Sequence, residues 1–183
     1  MRPIRPPQPR PQPQPQPNPS PKPTPAPEQA HDIEWIETSP AVEVTPELKK
    51  KKPNFYAEFE GLSKYDGDKG LVVFVYWESD DASADKKDKE RAKKSEKMDE
   101  MLKGDCLKEM ADTFVWVRLN GRELDKKLAK RHKIYKVPCV LLVDIRGKKW
   151  YVLTNHLTKP ERFLKTLKKF EAFNNRLRRM LKK

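Results

Sequence analysis

The pattern of apolar and polar positions divides the chain in two. From Met1 to Ala30, proline recurs at nearly every second position, and apolar residues follow neither a helical nor a strand period. From residue 54 onward, apolar runs of strand length alternate with polar stretches. Leu71–Trp77 is continuous and β-branched, the signature of a strand covered on both faces. Thr113–Leu119 reads as a second strand and Val137–Asp144 as a third, opened by Pro138. Arg146-Gly147-Lys148 is a tight turn that folds Lys149–Thr154 back as a hairpin strand.

Between these runs the period changes. Met98, Met101, Leu102, Cys106 and Met110 fall at helical spacing, after a very polar stretch, Glu78–Glu96, that reads as loop or helix extension. Glu123–His132 predicts a helix with Leu124, Leu128 and Ala129 inward. Pro160, after a cap at Thr158, opens a long final helix striped by Phe163, Leu167, Phe170, Phe173, Leu177 and Met180. Asn54–Tyr65 fits both a short amphipathic helix and an alternating strand, with helix the expectation, and Asp66–Gly70 is a turn. His31–Ile36 reads as a short edge strand. The order is β, α, β, α, β, β, α. It predicts an α/β domain over 54–183, with parallel strands joined by right-handed crossovers and a final antiparallel strand. Residues 1–53 are expected to be a disordered proline-rich arm and linker.

Composition sharpens the arm. Of the 18 prolines in 183 residues, 13 lie between Pro3 and Pro27. Proline lacks an N–H and fixes φ, so this segment is expected to be extended polyproline II. It reads as a stiff spacer before it reads as a ligand for aromatic grooves. Met1-Arg2-Pro3-Ile4-Arg5-Pro6 offers no apolar core of the roughly 7–15 residues a secretory signal needs. The chain as written is therefore expected to be cytoplasmic, or periplasmic or anchored if the true start lies upstream. No apolar run approaches the roughly 18 residues of a membrane span, so no transmembrane segment is expected. Two cysteines, Cys106 and Cys139, exclude a disulfide framework.

The strand order, with proline opening the third strand, resembles the thioredoxin fold. The carrying residues are the apolar strand ending in Trp77, the Phe114-Val115-Trp116-Val117 strand, and Tyr135-Lys136-Val137-Pro138-Cys139-Val140-Leu141-Leu142-Val143-Asp144 followed by Gly147. The resemblance covers roughly residues 66–173. It implies a thioredoxin-like three-layer sandwich in which Pro138 is a cis-proline beside the redox site. Redox members carry Trp-Cys-x-x-Cys after the first long strand. Here the run is Trp77-Glu78-Ser79-Asp80-Asp81, and counting back from Met98 gives Ala92 and Ser95 instead. Neither register supplies a cysteine, and dithiol exchange needs one thiolate to attack and a second thiol to resolve. The resemblance thus makes Trp77, Glu78, Asp81, Pro138 and Cys139 the positions of a vestigial redox site, and an enzyme is not the expectation.

Other candidates have plain readings. Cys139 is either a lone reactive thiol, with Cys106 resolving, or a small apolar residue starting a core strand; the second is expected. His31, His132 and His156 lack metal-ligand spacing, and the acidic run Glu78, Asp80, Asp81, Asp85 lacks the glycine and terminal glutamate of a calcium loop. No cofactor and no metal are expected. The charge, 40 Lys and Arg against 27 Asp and Glu or +13, is concentrated at the end: residues 159–183 hold ten Lys and Arg against Glu161 and Glu171. Lys165, Lys168, Lys169, Arg176, Arg178 and Arg179 surround the apolar stripe there. A basic amphipathic helix reads as a core-packing helix with solvated charges or as a binder of nucleic acid or an anionic membrane surface. The leading expectation is a redox-inactive module that binds a protein partner. A monothiol redox protein using Cys139 and an anionic-partner binder are the rivals.

Overall fold

The structure, a computed structural model, describes residues 32–78, 85–154 and 159–182. The proline-rich arm, His31, Asp80, Asp81, His156 and Thr158 lie outside the described residues.

The elements in chain order are β1 (Trp35–Thr38), α1 (Pro46–Lys50), α2 (Phe55–Glu58), β2 (Leu71–Tyr76), α3 (Lys86–Leu102), β3 (Val115–Asn120), α4 (Lys126–Arg131), β4 (Cys139–Val143), β5 (Lys149–Leu153) and α5 (Pro160–Leu181). Helix starts follow local chemistry. Thr45, Asn54, Asp85 and Asp125 each turn a side-chain oxygen onto an otherwise unpaired N–H of the first turn. The Val137–Pro138 peptide bond is cis, as the resemblance implies.

The five strands form one mixed sheet in the order β1-β3-β2-β4-β5. β1 and β2 flank β3 in parallel, while β4 runs antiparallel to β2 and β5 antiparallel to β4. Alternation along the strands builds two cores. Leu71, Val73 and Val75 join Val117, Leu141 and Val143 under α2 and α4, with Phe55, Tyr56, Phe59 and Leu128. Val72 and Phe74 join Trp116, Val140 and Leu142 under α3 and α5, with Met101, Leu102, Phe163, Leu167 and Phe170. The sheet is thus covered by helices on both faces.

Three expectations are corrected. First, β4 is not a parallel strand. A parallel return must run back along the length of a strand and needs a dozen or more residues, usually helical. The connection, residues 121–138, is long enough to do so, but its one helix, the six-residue α4, spans only about 9 Å, less than half of the roughly 20 Å of β3. The chain therefore re-enters the sheet where β3 ended, with Val75 paired to both Leu119 and Cys139. Second, the apolar spacing from Met98 to Met110 is not one helix. α3 stops at Leu102, and Asp105–Met110 is a separate 3-10 helix. Gly104 stands at the break, because a Cβ there would lie 2.7 Å from the Pro160 ring that opens α5. Third, the described residues on the arm side of Pro53 pack on the domain, with the edge strand expected at His31–Ile36 lying at Trp35–Thr38. β1 pairs with β3 from Trp35 to Thr38, and Val42 and Val44 pack against the α2 and α4 core.

Candidate functional site

Pairing of Val75 with Cys139 sets the ends of β2 and β4 side by side, so Trp77 and Pro138 stand at the same end of the sheet. Gly121, after β3, closes on both: a Cβ there would lie 3.0 Å from the Tyr76 carbonyl and 3.0 Å from the Val137 side chain. This end gathers the positions named from the resemblance, except Asp81, which lies outside the described residues.

Trp77 is half-buried and held from several sides. Its backbone N–H donates to Ser95 Oγ at 2.9 Å, and that hydroxyl donates to the Arg91 carbonyl at 3.0 Å. The guanidiniums of Arg91 and Arg122 lie 4.8 and 5.7 Å from its ring. Glu78 is exposed beside it. A cavity of about 320 Å³ opens between the end of β2 and α3, lined by Phe74, Tyr76, Trp77, Ser95, Asp99 and Arg118 among others. Arg118 ion-pairs with Asp99 and lies 4.9 Å over the Trp35 ring. Partial burial lifts the Glu37 carboxyl above its ordinary value, against the pull of Arg118, and lifts the Tyr76 phenol in the same way.

Two N–H groups at this cavity, Trp77 Nε1 and Arg118 Nε, are buried without an acceptor among the described residues. An unmet buried donor costs about 1–3 kcal/mol. Sequence spacing brought Ser95 into view as a displaced redox position. In the structure it is buried mid-helix and fixes the backbone of Trp77. The cavity itself was not readable, because Tyr76 on β2, Asp99 on α3 and Arg118 on β3 come together only in the folded chain.

Cys139 lies at this end but below its surface. It is fully buried in the sheet, and burial pushes its thiol up to about 12. Cys106 is half-buried on the 3-10 helix, and its thiol is also raised, first by desolvation. Neither thiol is in the electropositive, accessible setting that makes a cysteine nucleophilic.

His132, set aside by spacing, joins a buried polar cluster that single-residue reading misses. Glu58 on α2 accepts from Arg131 Nε at 2.7 Å and Arg131 Nη2 at 2.8 Å, and its Oε2 lies 2.9 Å from His132 Nε2. His132 packs 4.2 Å from the Phe55 ring, and burial lowers its proton affinity despite Glu58. The cluster ties α2 to α4 beneath the sheet.

The six basic positions of α5 separate into two kinds. Arg178 donates to the Asp68 carbonyl and, at 2.6 Å, to Asn175 Oδ1. Lys168 pairs with Glu109 at 2.8 Å. Lys165, Lys169, Arg176 and Arg179 are exposed. The apolar stripe holds to Leu177, beside buried Asn174, whose Oδ1 accepts from the Ile145 N–H; Met180 and Leu181 are exposed. Among the described residues no helix is long and apolar enough to cross a membrane, and none of their His, Cys, Asp and Glu side chains form a cluster that could hold a metal ion.

No family model matches the chain, and no curated protein matches its sequence.

Proposed function

We propose that this chain is a redox-inactive, thioredoxin-like module that binds a partner protein at the sheet end carrying Trp77, Glu78 and Pro138. The observation that carries the reading is the contrast between the groups at that end. The one thiol there, Cys139, is buried and held protonated, whereas the accessible groups are an indole, a carboxylate and two guanidiniums. Indole and guanidinium are the groups that dominate binding energy at protein interfaces. The sheet order, with a parallel β1-β3-β2 half and an antiparallel β2-β4-β5 half, supports the thioredoxin-like reading. So does Pro138 at the start of β4.

The test uses a displayed library of random peptides. Peptides selected on the native protein should lose at least tenfold in affinity for Trp77→Ala, and retain it for the thiol-free variant Cys106→Ala/Cys139→Ala. Loss in the thiol-free variant, with Trp77→Ala unaffected, would return the function to the cysteines.

A further inference from the structure

A second concentration of positive charge in the folded domain lies away from α5. It is assembled from three segments far apart in the sequence: 49–54, 130–136 and 146–149. Together they hold eleven Lys and Arg and no Asp or Glu. α2 is the junction that gathers them. Phe55 N–H donates to the Gly147 carbonyl at 3.1 Å, which sets Lys52, Pro53 and Asn54 against the β4–β5 turn. Glu58, one helical turn later, holds Arg131 and His132. Lys149 Nζ then donates to the Lys133 carbonyl at 3.4 Å, closing the third side.

The carboxylates beneath this surface are consumed one for one. Glu58 is buried and committed to Arg131, and Asp144 is buried and committed to Arg146 at 2.6 Å. That leaves nine lysines: Lys49 to Lys52, Lys130, Lys133, Lys136, Lys148 and Lys149. Among the described residues none of the nine is ion-paired. Crowding is felt at Lys149, whose proton affinity falls below that of an ordinary lysine, first through partial desolvation and then through Lys133. An array of unneutralised lysines suits a polyanion read by its backbone, because ammonium groups are point charges without the fork that selects one carboxylate or base.

One aromatic residue decides which polyanion. Tyr135 is 73% exposed, the most exposed large apolar side chain among the described residues, and it stands between Lys133 and Lys136. A cationic track with an exposed ring on which a base can stack is how single strands are held without sequence preference. A membrane surface would instead need several apolar side chains to insert. Of the other exposed large apolar side chains, Tyr151 stands singly on β5, and the one adjacent pair, Met180 and Leu181, belongs to α5 on the other face of the sheet.

We infer that the surface formed by Lys51, Lys52, Lys130, Lys133, Tyr135, Lys136 and Lys148 binds single-stranded nucleic acid through its phosphates and one stacked base. This stands independently of any partner at Trp77.

The test is fluorescence anisotropy of the full 183-residue chain with a labelled oligouridylate of about 20 nucleotides. About five phosphate contacts should weaken binding roughly a hundredfold between 50 and 200 mM salt. Combining Lys130→Glu, Lys136→Glu and Lys148→Glu should flatten the salt slope by about 2 and cost at least about tenfold at 50 mM. Lys51→Glu with Lys52→Glu, in an exposed loop, gives the same readout if the triple variant does not fold. Tyr135→Ala should cost about tenfold. Arg176→Ala with Arg179→Ala in α5 should change nothing. The inference is overturned by a flat salt dependence, by loss of binding in the α5 variant with the lysine variants intact, or by an unaffected Tyr135→Ala. Equal or tighter binding to phosphatidylserine vesicles, lost in the same lysine variants, overturns it in favour of a membrane surface.

Discussion

Glu58 and His132, 74 residues apart, meet with Oε2 and Nε2 at 2.9 Å inside the layer between α2 and the sheet. Arg131 closes on the same carboxylate, and the Asn54 N–H donates to its other oxygen at 3.0 Å. A single carboxylate therefore neutralises one guanidinium, satisfies one imidazole and caps one helix. Removing it leaves buried groups unpaired, which costs more than the pair itself contributes. Glu58→Ala is expected to lower stability by about 3–5 kcal/mol in urea denaturation. A loss below about 1 kcal/mol would mean that water replaces the carboxylate.

The same cluster sets a pH dependence. Burial lowers the pKa of His132 below its unfolded value, so the unfolded chain binds the proton more tightly. The stabilisation by neutral His132 is therefore complete above about pH 6.5 and is lost as pH falls through the folded-state pKa. Glu58 is also lowered: burial alone would raise it, but Arg131 and the Asn54 N–H outweigh that. Its stabilisation holds above the ordinary carboxylate range and is lost at more acid pH. Urea midpoints should fall between pH 7 and pH 5, with a slope of up to about 1.4 kcal/mol per pH unit from His132. His132→Gln should flatten that segment of the curve; an unchanged slope would assign the titration elsewhere.

Much of this fold could be read from the sequence because it rests on local pattern. Leu71–Tyr76, Val115–Asn120 and Cys139–Val143 are predominantly apolar and rich in valine, and each became a strand. Strand direction was not readable, because the connection 121–138 is long enough for either direction and only the pairing of Val75 with Cys139 shows which one the chain takes. Burial of Asn174 beside the α5 stripe was not readable for a related reason: the Ile145 N–H it satisfies belongs to another part of the chain. The end of β2 could be located through Trp77 and Pro138. Its cavity depends on Arg118 from β3 and Asp99 from α3, whose proximity no spacing encodes. The lysine surface was hidden for the same reason, since its three segments read separately as linker, helix end and tight turn.

Cys139 offers a direct chemical check. Burial pushes the thiol up to about 12, so almost no thiolate forms at pH 8, and burial also closes access to reagent. Alkylation of native protein at pH 8 should leave Cys139 unmodified by mass spectrometry and should modify it rapidly in urea. Modification of the native protein at the rate of a free thiol would revive the monothiol reading.

Trp116 is the largest fully buried side chain and bridges β3 to the α3 and α5 core. It meets Trp35 edge-on at 5.5 Å, so it also anchors the edge strand β1. Trp116→Ala is expected to cost about 3–5 kcal/mol. Amide exchange should speed up first in β1, whose register runs through the Trp35–Trp116 pair. Uniform loss of protection across the sheet would argue against that anchoring role.

The terminal helix provides the last test, because its arginines look alike in sequence and differ in place. Arg178 bonds the Asp68 carbonyl before β2 and Asn175 on its own helix, fastening the last turns of α5 to the loop at residue 68. Arg176 is exposed and makes no such bond among the described residues. Arg178→Ala should therefore lower stability by about 0.5–1.5 kcal/mol, the net worth of an intramolecular hydrogen bond. Arg176→Ala should stay within about 0.5 kcal/mol, as surface substitutions do. Paired thermal melts at low and high salt decide it. Hydrogen bonds to a carbonyl survive salt better than exposed ion pairs, so the Arg178→Ala deficit should persist at high salt. Equal melting points for the two variants would show that Arg178 is as free as its neighbour.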